Sequence, residues 1–303
     1  MNGDALSSEA AGAALPPGLA GYAAYLLRRA YVLANRFAPD FDEAADGAGS
    51  ARDFQVLDAI GEPGSAYSQQ DLGDRLGINR TTMVKLIDRF EAAGQVVRAR
   101  NPDDRRSYVL VLTDEGRAAL TAMDPAICAA DARLTAGLSD ADRDRLGALL
   151  AGLLSRPAPP PGGCRTGALV TQAHHFVRHR IEAALADSGL QARHFGALTV
   201  LAESACSQQQ LARRLAISEQ TVLAVVDDLE RAGSVVRERD PSDRRRYALR
   251  ITEEGRRTLR TARDVVEAEE AELGTRLGSE GRAELARLLG ALLETAGLLQ
   301  TGG

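Results

Sequence analysis

The sequence predicts a mainly α-helical protein with two small β-hairpins, built as two tandem copies of one unit. Three observations lead there. Residues 68–120 lie over residues 207–259 at a constant offset of 139 with no gap, and 27 of the 53 pairs are identical. Leucines carry the match outward, because Leu134, Leu138, Leu146, Leu149, Leu150 and Leu153 fall on Leu273, Leu277, Leu285, Leu288, Leu289 and Leu292. Within each copy, helical spacing of apolar residues gives way to strict alternation and then returns. A duplication this long repeats a whole domain rather than a solenoid brick. The expected division is a disordered tail (1–16), a first unit (17–155), a Pro/Gly-rich linker (156–166) and a second unit (167–299).

The elements of each copy follow from its punctuation. Ser68 with Asp71, and Ser207 with Gln210, are capping-box starts for short helices whose Leu72 and Leu76, or Leu211 and Leu215, face inward. After a brief turn Asn79 and Ser218 cap a second helix, which ends at the left-handed glycines Gly94 and Gly233. Two helices joined this tightly form a helix-turn-helix. Next come Val96-Val97-Arg98 and Val235-Val236-Arg237, then turns around Pro102 and Pro241, then an alternating strand from Tyr108 to Thr113 with its counterpart. A hairpin in this place is a wing. Thr113 and Thr252 open a long helix. Residues 139–155 carry leucines at i, i+3, i+4, i+7 and i+8, a stripe wide enough to pack on a partner. The fold class is therefore two tandem winged helix-turn-helix units, with outer helices built for association.

Composition narrows the function. With 37 basic and 42 acidic residues the formal charge is −5, so any nucleic-acid contact has to come from local patches. Lys85 is the only lysine. No apolar run approaches the roughly 18–20 residues of a membrane-spanning helix, and the N-terminus lacks a basic-then-apolar leader, so a cytoplasmic protein without membrane contact is expected. Cys128, Cys164 and Cys206 show no C-x-x-C spacing and are expected as reduced thiols. No G-x-G-x-x-G, P-loop, G-x-S-x-G or H-E-x-x-H motif occurs, so an enzyme is not expected and no cofactor is implied.

The run from Asp104 to Gly116 and its twin from Asp243 to Gly255 fit the pattern D-x-R-x-x-x-L-x-[LI]-T-x-x-G, each just after a helix ending in [DR]-x-[FL]-E-x-A-G. In this each copy resembles the MarR-type (multiple antibiotic resistance regulator) winged-helix transcription factors. The resemblance implies a dimer with interlaced terminal helices that binds palindromic double-stranded DNA and responds to a small ligand. This sequence departs by carrying both protomers in one chain, so a monomeric pseudo-dimer is expected.

A helix lying in the major groove presents its first turn to base edges. In the first copy that turn is Asn79, Arg80, Thr81 and Thr82, with Lys85 one turn on. Arg80 forks onto guanine, the threonines meet a phosphate or a thymine methyl, and Lys85 neutralises a phosphate. In the second copy the same places hold Ser218, Gln220 and Thr221. Ser68 and Gln69, with Ser207 and Gln208, aim helix N-termini at the sugar-phosphate chain. The wing arginines Arg105 and Arg106, and Arg244, Arg245 and Arg246, suit the narrow minor groove. The readers are unequal, since residues 79–94 carry net +1 and residues 218–233 net −3. An asymmetric operator with its stronger half-site under the first copy is expected.

By the same resemblance, the ligand pocket borders the first helix of each copy. Its candidate residues are Tyr25, Arg28 and Tyr31 in the first copy and His175, Arg178, His179 and His194 in the second, suited to an aromatic or anionic effector. Three other readings stay open. The same residues can simply pack between helices, His175 and His179 have the one-turn spacing of a zinc pair, and Cys164 is the thiol best placed for redox sensing. An interaction module, in which the acidic second copy has exchanged DNA for a protein partner, is the competing class.

Overall fold

The computed structural model describes residues 15–39, 50–62, 66–101, 108–239 and 247–298. The first copy consists of α1 (Ala23–Phe37), α2 (Ala51–Ile60), α3 (Gln69–Leu76), α4 (Arg80–Ala92), β1 (Val96–Arg100), β2 (Tyr108–Leu112), α5 (Asp114–Leu134) and α6 (Asp140–Leu153). The second consists of α7 (Thr166–Leu185), α8 (Ala192–Glu203), α9 (Gln208–Leu215), α10 (Glu219–Arg231), β3 (Val235–Arg239), β4 (Tyr247–Ile251) and α11 (Glu253–Leu298). The last helix is broken at Gly278, φ +75°, where the first copy turns from α5 into α6.

Local chemistry sets these boundaries. Ser68 and Ser207 form reciprocal capping boxes with Asp71 and Gln210, while Asn79 and Ser218 accept from the N–H groups of Thr82 and Thr221. Gly94 and Gly233 are left-handed at φ +67° and +68°. Each wing is a two-stranded antiparallel hairpin, paired Val96 to Leu112 and Val235 to Ile251. The T-x-x-G motif closes it. Thr113 Oγ1 accepts from Gly116 N (3.1 Å) and donates to Gly94 O (2.6 Å), and Thr252 does the same with Gly255 (3.0 Å) and Gly233 (2.7 Å). A Cβ at Gly116 or Gly255 would run into the carbonyl of Gln95 or Ser234, so the close approach requires glycine.

The copies interlock through their outer helices, and the contacts are reciprocal. Neither α1 nor α7 has a side-chain cap of its own. Instead Glu270, on α11, accepts from Ala23 N (3.2 Å) and Ala24 N (3.1 Å), while Asp131, on α5, accepts from Thr166 N and Gly167 N (both 2.8 Å). Asp131 and Glu270 are corresponding positions, so each copy caps the first helix of the other. Burial raises both carboxyls above their ordinary range. On the pseudo-axis a position meets its own counterpart, as when Arg145 pairs with Glu284 (2.8 Å), 139 residues on. In a symmetric homodimer that position would face an identical residue. Opposite charges there suit two copies of different sequence.

Leu26, Leu27, Leu33, Leu146, Leu150, Leu153, Leu169, Leu185, Leu288 and Leu289 fill a core shared by both copies and continuous with the second helix-turn-helix. The first helix-turn-helix has a separate core around Phe54, Leu57, Leu72, Met83 and Ile87. Among the described residues no helix is long and apolar enough to cross a membrane.

Two expectations change, for the cysteines and for the first residues of the fold. Cys128 and Cys164 are joined in a disulfide, not held as reduced thiols, because the linker folds back along α5 and brings their Cα atoms to 4.8 Å; Cys206 alone is free, and buried. The linker is docked, with Arg165 paired to Asp58 and Asp124 (both 2.9 Å) and Arg156 to Glu62 (2.6 Å). Leu15 and Pro16, expected in a disordered tail, belong to the fold, Pro16 O accepting from Leu19 N and Ala20 N. Residues 1–14 lie outside the described residues.

Candidate nucleic-acid interface and ligand cavity

Each reader helix buries one stripe and exposes the opposite one. Met83, Ile87 and Phe90 anchor α4, leaving Arg80, Thr81, Val84, Lys85 and Asp88 in solvent. Val222, Val225, Val226 and Leu229 anchor α10, leaving Glu219, Gln220, Leu223, Ala224 and Asp227. Position by position, Arg80 faces Glu219, Thr81 faces Gln220 and Lys85 faces Ala224 in the comparison of the copies. Ser68, Asn79, Ser207 and Ser218 use their side-chain oxygens as caps, and Gln69 and Gln208 lie half-buried one residue inside α3 and α9. Thr82 and Thr221 are half-buried behind the exposed row. Arg105, Arg106, Arg244, Arg245 and Arg246 lie outside the described residues.

Three of the four acids of the second reader are paired locally. Arg237, from β3, holds Asp227 (2.9 Å) and Glu230 (3.4 Å), and Arg231 holds Asp228 (3.0 Å). Arg98 pairs equivalently with Asp88 (3.3 Å) and Glu91 (2.5 Å) in the first. These ties fix each wing to its reader, a role that sequence reading did not assign to Arg98 or Arg237.

A cavity of about 200 Å³ lies between α1 and the second helix-turn-helix. Its polar lining includes Tyr22, Tyr25 and Arg28 from the first copy with His174, Arg178 and Thr221 from the second, and Ile181, Phe195, Leu215, Ile217 and Val266 supply apolar walls. Glu182 and Arg193 complete the charged groups, Glu182 sitting 3.6 Å from Arg178. Tyr25 Oη donates to Arg214 O (2.6 Å) and Arg28 Nη2 to Ala216 O (3.0 Å). Ala216 is left-handed at φ +52°, where the first copy has Gly77 at +64°. A non-glycine residue there carries strain on the order of 1 kcal/mol.

Of the expected effector residues, the cavity gathers Tyr25, Arg28 and Arg178. The others lie elsewhere. Tyr31 stacks on His174 (4.6 Å between centroids) and meets His175 edge-on (5.3 Å) between the copies. His175 packs over Gly77, His179 is exposed, and His194 accepts from Gln191 N (3.1 Å) at the start of α8, with its other nitrogen 3.5 Å from Asp228. Among the described residues no group of three or more His, Cys, Asp or Glu is placed to hold a metal. Tyr22 and His174 stand on the first helices that the resemblance already places beside the pocket, whereas Arg193, at the start of α8, is added by the structure.

The counterpart space in the first copy is about 50 Å³, bordered by Ala34, Phe54, Gln55, Ile127, Leu134 and Thr171. Arg165, from the linker, stacks on Phe54 (4.8 Å), and Gln172 is drawn onto Arg75 (2.9 Å) and Arg156 (2.7 Å). This space is the smaller of the two, with the linker's Arg165 over one of its walls.

Burial, helped by the Arg178 charge, lowers His175 to about 4. The unfolded chain takes up this proton first, so the buried imidazole's contribution is complete above pH 6.5 and lost as pH falls from about 6.5 toward 4. Denaturant titrations across that window should show His175→Gln flattening the dependence by up to about 1.4 kcal/mol per pH unit; parallel wild-type and variant profiles would refute it.

The MarR family model matches residues 50–107 and 188–246, one stretch in each copy. A putative transcriptional regulatory protein for the hcr operon of Thauera aromatica is 35% identical over 98 residues, 32% of this chain and 59% of that protein; the chain thus spans less than two thirds of that relative. The transcriptional repressor Rv2887 of Mycobacterium tuberculosis is 32% identical over 124 residues, 41% of this chain and 89% of the repressor. A crystal structure of Rv2887 with salicylic acid covers 42% of this chain and 94% of its own at 31% identity, TM-score 0.37. The repressor CouR, from Rhodococcus jostii, bound to a 23-mer DNA duplex, covers 42% and 90% at 31% identity, TM-score 0.40. With a family match in both halves and a repressor nearly spanned by one copy, the chain belongs to the MarR family of helix-turn-helix regulators, as a tandem duplication.

Proposed function

We propose that this chain is a ligand-responsive transcriptional repressor that grips double-stranded DNA as a single-chain pseudo-dimer on an asymmetric operator. The observation that carries the reading is the pair of capped reader helices, each with an exposed face, held on one interlocked body. The first reader offers Arg80, Thr81 and Lys85 to guanine and phosphate; the second offers Glu219 and Gln220, which suit cytosine and adenine. Arg105, Arg106, Arg244, Arg245 and Arg246 are proposed to follow the minor groove. The cavity beside the second reader, about 200 Å³ against about 50 Å³ for its counterpart, is the proposed effector site, one per chain.

Affinity for duplexes selected from random DNA, measured against salt, tests this. A repressor making several phosphate contacts gives a steep negative log–log slope, and Lys85→Ala shallows it by about one. No DNA binding at low salt would favour the protein-interaction module instead.

A further inference from the structure

Among the described residues seven large apolar side chains stand exposed, and all seven lie on the readers and wings, two on the reader helices and five on the wing strands. The outer helices that join the copies leave none in solvent. On the readers the two are Val84, 38% exposed, and Leu223, 45% exposed, which are counterparts 139 residues apart. Neither is needed to pack its helix, since Met83, Ile87 and Phe90 anchor α4 and four other apolar residues anchor α10.

The exposed rows of the two readers have otherwise diverged. Arg80 gives way to Glu219, Thr81 to Gln220 and Lys85 to Ala224, and two places keep their chemistry. One is Asp88 and Asp227, each held by the wing arginine of its own copy. The other is Val84 and Leu223, which the fold leaves in solvent. In the second copy the row reads Glu219, Gln220, Leu223, Ala224 and Asp227, with no cation to neutralise a phosphate. Hydrogen bonds and apolar contact are what it can offer. Leu223 stands one turn beyond Glu219 on the same face, about 6 Å along the axis, or roughly two base steps of about 3.4 Å. The apolar group that a base edge presents in the major groove is the C5-methyl of thymine.

Resting on the repressor reading above, we propose that Leu223 is a specificity-determining residue that packs on the C5-methyl group of a thymine in the second half-site, where this contact takes the place of the cations of the first reader. Cytosine carries a hydrogen at that carbon and an amino donor beside it, so a leucine there selects thymine by filling space and by leaving the donor without a partner. Taking one methyl group out of water is worth about fourfold in affinity. In the first copy Val84 is one carbon shorter and stands beside Lys85, whose charge favours the phosphates whatever the base. The two half-sites are therefore read by different chemistry, charge under the first copy and shape under the second.

Removing single methyl groups from the DNA tests this, because uracil pairs as thymine does and lacks only the C5-methyl. The full chain is titrated with a duplex it selects from random DNA, the thymines of each half-site being replaced one at a time by uracil. The second half-site is the one whose base preference Arg80→Ala leaves intact. One thymine there is expected at which uracil weakens wild-type binding about fourfold. Leu223→Ala is expected to lose at least as much on the unmodified duplex and to bind the uracil duplex equally well, with the wild-type salt slope because no charge has changed. Leu223→Met, which keeps an apolar reach, retains the preference for thymine. Gln220→Ala is weakened yet still distinguishes the two duplexes, which separates the methyl contact from a general loss of grip. Wild-type binding indifferent to uracil throughout the second half-site, a second half-site selected without thymine, or a Leu223→Ala protein with wild-type affinity or wild-type sensitivity to uracil would each overturn the proposal. All of these are read on a chain that binds DNA, whereas failure of the repressor reading leaves no duplex to modify.

Discussion

Replacing Glu270 by alanine is expected to lower the unfolding free energy by about 2–4 kcal/mol, and Asp131→Ala to do the same. Each carboxylate accepts from two backbone N–H groups of the opposite copy's first helix, and neither helix has a cap of its own. Removing the acceptor leaves two donors without partners, with no water-exposed alternative beside Glu270, which is 3% exposed. The helix dipole adds a smaller loss, since a negative group at each N-terminus disappears. Glu270→Gln retains one acceptor oxygen and should lose less than Glu270→Ala. Because both sites fasten the same pair of copies, the double variant should depart from additivity. Urea denaturation checks all four proteins; alanine variants within about 0.5 kcal/mol of wild type would mean the reciprocal caps do not hold the copies together.

Arg80→Ala is expected to cost about 1–3 kcal/mol of DNA affinity, roughly tenfold to a hundredfold, and to relax base preference in one half-site. Gln220→Ala should cost clearly less. Arg80 stands exposed at the start of a reader with a second cation, Lys85, on the same face. Its counterpart Glu219 repels phosphate, and the place of Lys85 is taken by Ala224. The −3 charge of the second reader overstates the repulsion, because Arg237, which lies outside that stretch, pairs with Asp227 and Glu230. What remains is a face with few phosphate partners, which binds through its half of the interlocked body. Competition binding with selected duplexes measures both variants; equal losses would mean the two readers contribute alike.

How far the sequence carries depends on whether a feature is local. Caps at Ser68, Asn79, Ser207 and Ser218, the left-handed Gly94 and Gly233, and the helix-opening Thr113 and Thr252, which accept from Gly116 and Gly255, all act within a few residues, and the structure has them where the pattern puts them. Contacts made by chain closure were not legible. Asp131 reaches Thr166 across the linker, and Cys128 finds Cys164 only because that linker doubles back. The cavity was half legible for a related reason. Its aromatic and cationic groups could be chosen by type, but the segment after α1 is longer than the one after α7, so no constant offset aligned the two first helices. Tyr31 and His175 therefore looked like pocket groups, whereas the register of α1 against α7 turns them toward each other between the copies.

The number of chains on one operator tests the central claim most directly. If the fused copies form one clamp with unlike halves, the native mass of the complex with a selected duplex gives one chain per DNA, at any protein concentration sufficient for saturation. Two chains bound together on a single operator, with no one-chain complex at lower concentration, would contradict it.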